Sequence, residues 1–105
     1  MELVLWTNNA CSKSRAAEQI LIDRGVAFTA RYYLEDPPTR AELEELLTLL
    51  GTADPQVIAR PGVTGDVLHQ LSNDPSLIER PIAMLGDRAV VARPPERVLE
   101  LLPRT

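Results

Sequence analysis

The spacing of apolar residues changes period along the chain, and each change marks an element. In "LVLW", Leu3 and Leu5 point one way and Val4 and Trp6 the other, all apolar, as in a short strand buried on both faces. Beyond the polar "TNN", Ala17, Ile20 and Leu21 recur at helical spacing, and Gly25 stands where a left-handed cap would end a helix running from about Ser12 to Arg24. "VAFTARYYL" alternates again, with Phe28, Ala30, Tyr32 and Leu34 on one face and Thr29, Arg31 and Tyr33 on the other. Strand, helix, strand in that order predicts a right-handed parallel crossover.

In "EDPPTRAELEELLTLLG", Thr39 and Glu42 are spaced as a capping box, and Leu43, Leu46, Leu47 and Leu50 form one apolar stripe. Asp54-Pro55 and Thr64 read as the starts of two shorter helices, separated by Pro61-Gly62. "IAML", Gly86-Asp87 and "RAVVA" make an antiparallel hairpin with a tight turn. "RPPERVLELLP" closes the chain as a helix opened by proline, with Val98, Leu99 and Leu102 inward. This order predicts an α/β fold: a thioredoxin-like sandwich on a four-stranded mixed sheet, with a helical insert between the second strand and the C-terminal hairpin.

Composition narrows the class. With 45% hydrophobic and 25% charged residues, 105 residues suit a single domain spanning 1–105. No apolar run approaches the roughly 18 residues a membrane span needs, and Met1 leads into "ELVLW" without the basic start of a secretory signal, so a cytoplasmic protein with no membrane partner is expected. A net charge of −4 speaks against generic nucleic-acid binding. One cysteine cannot form an internal disulfide, so any redox partner must come from outside. His69 has no second histidine or thiol near it in sequence, and no metal site is expected.

That cysteine, Cys11, falls between the first strand and the first helix, where open α/β sheets tend to place their ligands. The amides of the first helical turn have no intrahelical acceptors, and the helix dipole favours negative charge there. Both effects favour a thiolate, the nucleophilic form, and the same amides can cradle an oxyanion. Of the arginines, Arg80 and Arg93 stand apart because each directly precedes a proline at an element boundary. Arg31 and most of the others read as solvated surface.

Four segments in order, "NNACSKSR", "YYLEDPPTRAEL", "IERPIAML" and "ARPPERVLELL", resemble the glutaredoxin-related arsenate reductase (ArsC) family, in particular its short arsenate-reductase-like branch. The resemblance spans nearly the whole chain. It implies a cysteine that attacks arsenate and three arginines that hold the oxyanion, with glutathione and glutaredoxin completing the reduction. Cys11 matches the nucleophile, Arg60, Arg80 and Arg93 match the oxyanion-binding arginines, and Asn8, Ser14 and Arg15 match supporting positions of the cysteine motif. It also implies a cis Arg80-Pro81 bond. No bound cofactor is implied, glutathione being a co-substrate, and a monomer is expected. The motif departs from the family pattern at Thr7, Asn9, Ser12 and Lys13, which replace His, Pro, Gly and Thr; the histidine is associated with thiolate formation.

Two other functions fit the same fold. One is a regulator similar to the Spx-like proteins that bind RNA polymerase, whose Cys-x-x-Cys switch cannot operate here because Ser14 takes the place of the second cysteine. The other is a general thiol oxidoreductase acting on a different oxyanion or on mixed disulfides.

Overall fold

The computed structural model describes residues 2–102. Strand β1 (Leu3–Thr7) is followed by helix α1 (Ser12–Asp23), β2 (Phe28–Tyr32), α2 (Arg40–Leu50), a 3-10 turn at Pro55–Ile58, α3 (Val67–Asn73), a second 3-10 turn at Pro75–Leu77, the hairpin β3 (Ile82–Leu85) and β4 (Arg88–Val91), and a 3-10 helix at Pro95–Leu101. The sheet order is β2-β1-β3-β4, with β1 parallel to β2 and antiparallel to β3, and β3 antiparallel to β4. This is the thioredoxin-like arrangement that the element order predicts.

The central strands alternate between two cores because their side chains alternate across the sheet. Leu5 pairs with Ala83, which pairs with Val90, and all three face α1 and the C-terminal 3-10 helix, joining Ala17, Leu21, Val98 and Leu101. Trp6 pairs with Ile82, which pairs with Val91, and these face α2 and α3, joining Leu43, Leu46, Ile58 and Leu71. Helices therefore cover both faces, and β1, apolar on both, lies inside the sheet.

Local chemistry fixes the helix ends. The Glu42 N–H donates to Thr39 Oγ1 at 3.1 Å and the Thr39 N–H donates to Glu42 Oε1 at 3.0 Å, which closes the expected capping box. Gly51, at φ +76°, ends α2 in the left-handed conformation.

Four details differ from the sequence reading. Strand β2 stops at Tyr32, because Glu35 and Asp36 both donate their N–H groups to the Tyr32 carbonyl and turn the chain away from the sheet. Helix α3 is capped by Asp66, not Thr64, since the left-handed Gly65 interrupts the chain between them. The last helix is 3-10, so the buried positions follow a period of three, Pro95, Val98 and Leu101, while Leu99 and Leu102 are only partly covered. Arg31 is not solvated: its guanidinium lies 5.2 Å from the centroid of the Trp6 ring, its register partner, and donates from Nη1 and Nη2 to Glu42 at 2.5 and 3.1 Å. Arg104, expected at the surface, lies outside the described residues.

Candidate active site

The parallel strands β1 and β2 end on the same edge of the sheet, and the chain leaving β1 turns there into α1. Asn8 makes the turn: its carbonyl accepts the Cys11 N–H at 2.9 Å, and its side-chain oxygen accepts the Ala10 N–H at 2.9 Å. Cys11 thereby becomes the N-cap of α1, with extended backbone (φ −100°, ψ 123°). The first amide to bond back within the helix is that of Arg15, to the Cys11 carbonyl at 3.1 Å, which leaves the preceding amides of the first turn open.

Four groups act on the half-buried sulfur. Partial burial opposes the charged form and is the largest single influence; against it act the Ser14 N–H, the Arg80 guanidinium, the Lys13 N–H and the Ser14 hydroxyl. The donors win together, and the thiol pKa falls from 9.0 to about 7. None of them closes a side-chain capping bond of ordinary geometry at Cys11. The stabilisation is that of dipoles and a cation converging on an anion.

Arg80 comes from the strand on the other flank of β1, on the residue before the cis Arg80-Pro81 bond that opens β3, whose start lies beside the end of β1. Its Nε is buried without a hydrogen-bond partner among the described residues. The Arg93-Pro94 bond beyond β4 is cis as well. Arg93 is held next to Arg80: its Nη1 donates to the Arg80 carbonyl at 3.0 Å and lies 3.5 Å from Glu79 Oε1. Arg60 follows the Ala59–Ile78 bridge, its N–H bonded to the Leu77 carbonyl at 2.9 Å, and its charge reaches the Tyr33 hydroxyl. Of the three arginines, Arg80 alone acts on the sulfur; Arg93 is joined to the Arg80 main chain and Arg60 acts on the Tyr33 phenol, and both of these residues, like Arg15 on α1, are exposed.

Two further residues lie at the ends of the parallel strands. Thr7, at the position that departs from the family histidine, is fully buried at the end of β1 and donates its hydroxyl to Glu18 on α1 at 3.2 Å. Tyr33 is the residue that the strand pattern misses. Its side chain is 0% exposed, and its hydroxyl stands among Arg80, Asn8, Cys11 and Arg60. Alternation assigned it to a sheet face; its location immediately past β2, on the edge that also carries Cys11, is the signal that could have found it. Among the described residues no three His, Cys, Asp or Glu side chains gather as a metal site.

The fold is of the thioredoxin-like class, and it sets a cysteine with a pKa near neutrality at the N-terminus of the first helix, with an arginine acting on its sulfur. The chain belongs to the ArsC family, whose sequence pattern it matches over residues 6–101. It is 33% identical to an arsenate reductase of Neisseria meningitidis over 96% of this chain and 98% of that one. It is 32% identical to an arsenate reductase of Haemophilus influenzae over 97% of this chain and 100% of that one. Among solved structures, the arsenate reductase of Vibrio cholerae is 33% identical and superposes with a TM-score of 0.88, covering 97% of this chain and 98% of the other.

Proposed function

We propose that the protein is an oxidoreductase of the arsenate reductase type, acting in the cytoplasm as a monomer with glutathione and glutaredoxin as its reductants. The observation that carries this reading is the convergence of Arg80 and the open amides of α1 on an acidified Cys11 sulfur. In the first step the thiolate attacks arsenic, a sulfur–arsenic bond forms, and one arsenate oxygen leaves with its proton and a second proton as water. The guanidinium forks of Arg80, Arg60 and Arg93 offset the oxyanion charge through paired hydrogen bonds. Over the whole reaction two thiols supply two electrons: arsenate becomes arsenite, the thiols become a disulfide, and one water is released.

The arsenate reductases of Neisseria meningitidis and Vibrio cholerae, similar over nearly the full chain, support the choice of arsenate. With one cysteine in the sequence, the resolving thiol must be external, which suits glutathione and glutaredoxin. The test is arsenite formation from arsenate with both reductants, beside a Cys11→Ser control. Turnover in the wild type and none in the control is the expected result. Equal rates in both would remove Cys11 from the chemistry, and no arsenite in either would exclude arsenate as substrate.

A further inference from the structure

We propose that the Tyr33 hydroxyl is a further ligand of the oxyanion, donating a hydrogen bond to one oxygen of the tetrahedral anion that Cys11 attacks; this rests on the oxyanion chemistry proposed above. The ring itself has an ordinary explanation, since it is packed in the core with Trp6, Leu43, Ile58 and Ile78. The oxygen does not. A phenylalanine would fill that space, whereas a buried hydroxyl without a partner is destabilising. The Tyr33 hydroxyl has no hydrogen-bond partner among the described residues, and its side chain is completely buried.

The groups around it are those of the sulfur. Arg80, Asn8, Cys11 and Arg60 all act on the phenol, and Arg80 also acts on Cys11. The Asn8 amide N–H is directed at the phenol oxygen and favours its charged form, but it closes no hydrogen bond of ordinary geometry to it; the Asn8 side-chain oxygen accepts the Ala10 N–H. Ser14 Oγ and Arg80 Nε are likewise buried without partners among the described residues, and both residues act on Cys11 as Cys11 and Arg80 act on Tyr33. An anion seated at Cys11 would satisfy them together.

Burial pushes the phenol above its usual pKa, and the negative charge of Cys11 pushes the same way, against the cations Arg80 and Arg60. At neutral pH the group keeps its proton and can only donate toward an anion. The arginines supply charge, and Tyr33 adds a neutral donor whose direction is fixed by a ring locked in the core.

The experiment compares wild type with Tyr33→Phe, measuring how sulfate, phosphate and arsenate each protect Cys11 from iodoacetamide. The half-protecting concentration should rise about three- to tenfold in the variant, as for one lost hydrogen bond. Its thermal midpoint without anion should stay the same or rise, because an unsatisfied buried hydroxyl is gone. Equal protection of both proteins overturns the inference and leaves the proposed function standing. A fall of several degrees in midpoint also overturns it, since the hydroxyl would then be structural. If no anion protects even the wild type, the oxyanion reading fails and this inference with it. Should the variant not fold, the wild-type Tyr33 Cζ resonance is titrated with sulfate: a shift with the midpoint of protection supports the assignment, and an unmoved resonance contradicts it.

Discussion

The Arg93 guanidinium donates a 3.0 Å hydrogen bond to the main-chain carbonyl of Arg80 and so joins the loop entering β3 to the loop leaving β4. The same nitrogen lies 3.5 Å from Glu79, so a carboxylate competes with any anion for the charge of Arg93. Changing Glu79 to Gln removes that competition and keeps the shape. Sulfate protection of Cys11 should then strengthen by up to about fivefold, the range of a partly exposed ion pair. Unchanged protection would show that Arg93 takes no part in holding the anion.

Arg80 should behave differently, because it acts on the sulfur directly. In Arg80→Ala the Cys11 pKa should rise by about one unit, whereas Arg80→Lys should restore much of the acidity but little of the anion affinity, since an ammonium lacks the planar fork. Alkylation rate against pH, with and without sulfate, separates the two effects. A lysine variant that matched the wild type in both would show that charge alone matters.

Away from the site, Glu42 links helix capping to the strand edge. Its hydrogen bonds from Arg31, aided by the Thr39 backbone, hold its carboxyl down from 4.5 to about 2. Folding therefore weakens proton binding, and the stability gained is complete above about pH 4.5 and disappears as pH falls toward 2. The pair is partly solvent-screened, so Glu42→Gln should cost about 1 kcal/mol at neutral pH and flatten the acid limb of the stability curve. Urea melts at several pH values check it; parallel curves for wild type and variant would contradict it.

The sheet was legible in the sequence because β1 and β3 are continuous apolar runs, as strands covered on both faces must be, and α1 and α2 each carry a single apolar stripe. The Thr39–Glu42 box and the place of Cys11 followed from short-range rules that tertiary packing does not override. Arg31 and Tyr33 were not legible. The cover over Arg31 comes from Trp6 on a neighbouring strand and Glu42 on α2, and depends on a parallel register that only the fold supplies. Tyr33 continues the alternation of β2 in sequence, but the chain has already turned out of the sheet. The 3-10 form of the last helix was hidden because periods of three and 3.6 diverge by only about 0.6 residue per turn, too little to separate in so short a helix.

Gly51 offers a stability test independent of the site. A Cβ there would meet no atom within 4 Å, so the cost of Gly51→Ala is conformational only, from φ +76°. About 1 to 2 kcal/mol should be lost, with no change in Cys11 reactivity. A larger loss, or altered alkylation, would mean that the end of α2 is coupled to the site.

The proposed chemistry requires Cys11 to be a thiolate near neutral pH, and the pH dependence of its alkylation measures that directly. With one cysteine in the chain, iodoacetamide reports on this thiol alone. The rate should rise along a single titration with its inflection near pH 7. An inflection at or above about 8.5, the value of a free thiol, would contradict the account, since neither the α1 amides nor Arg80 would then be acting on the sulfur.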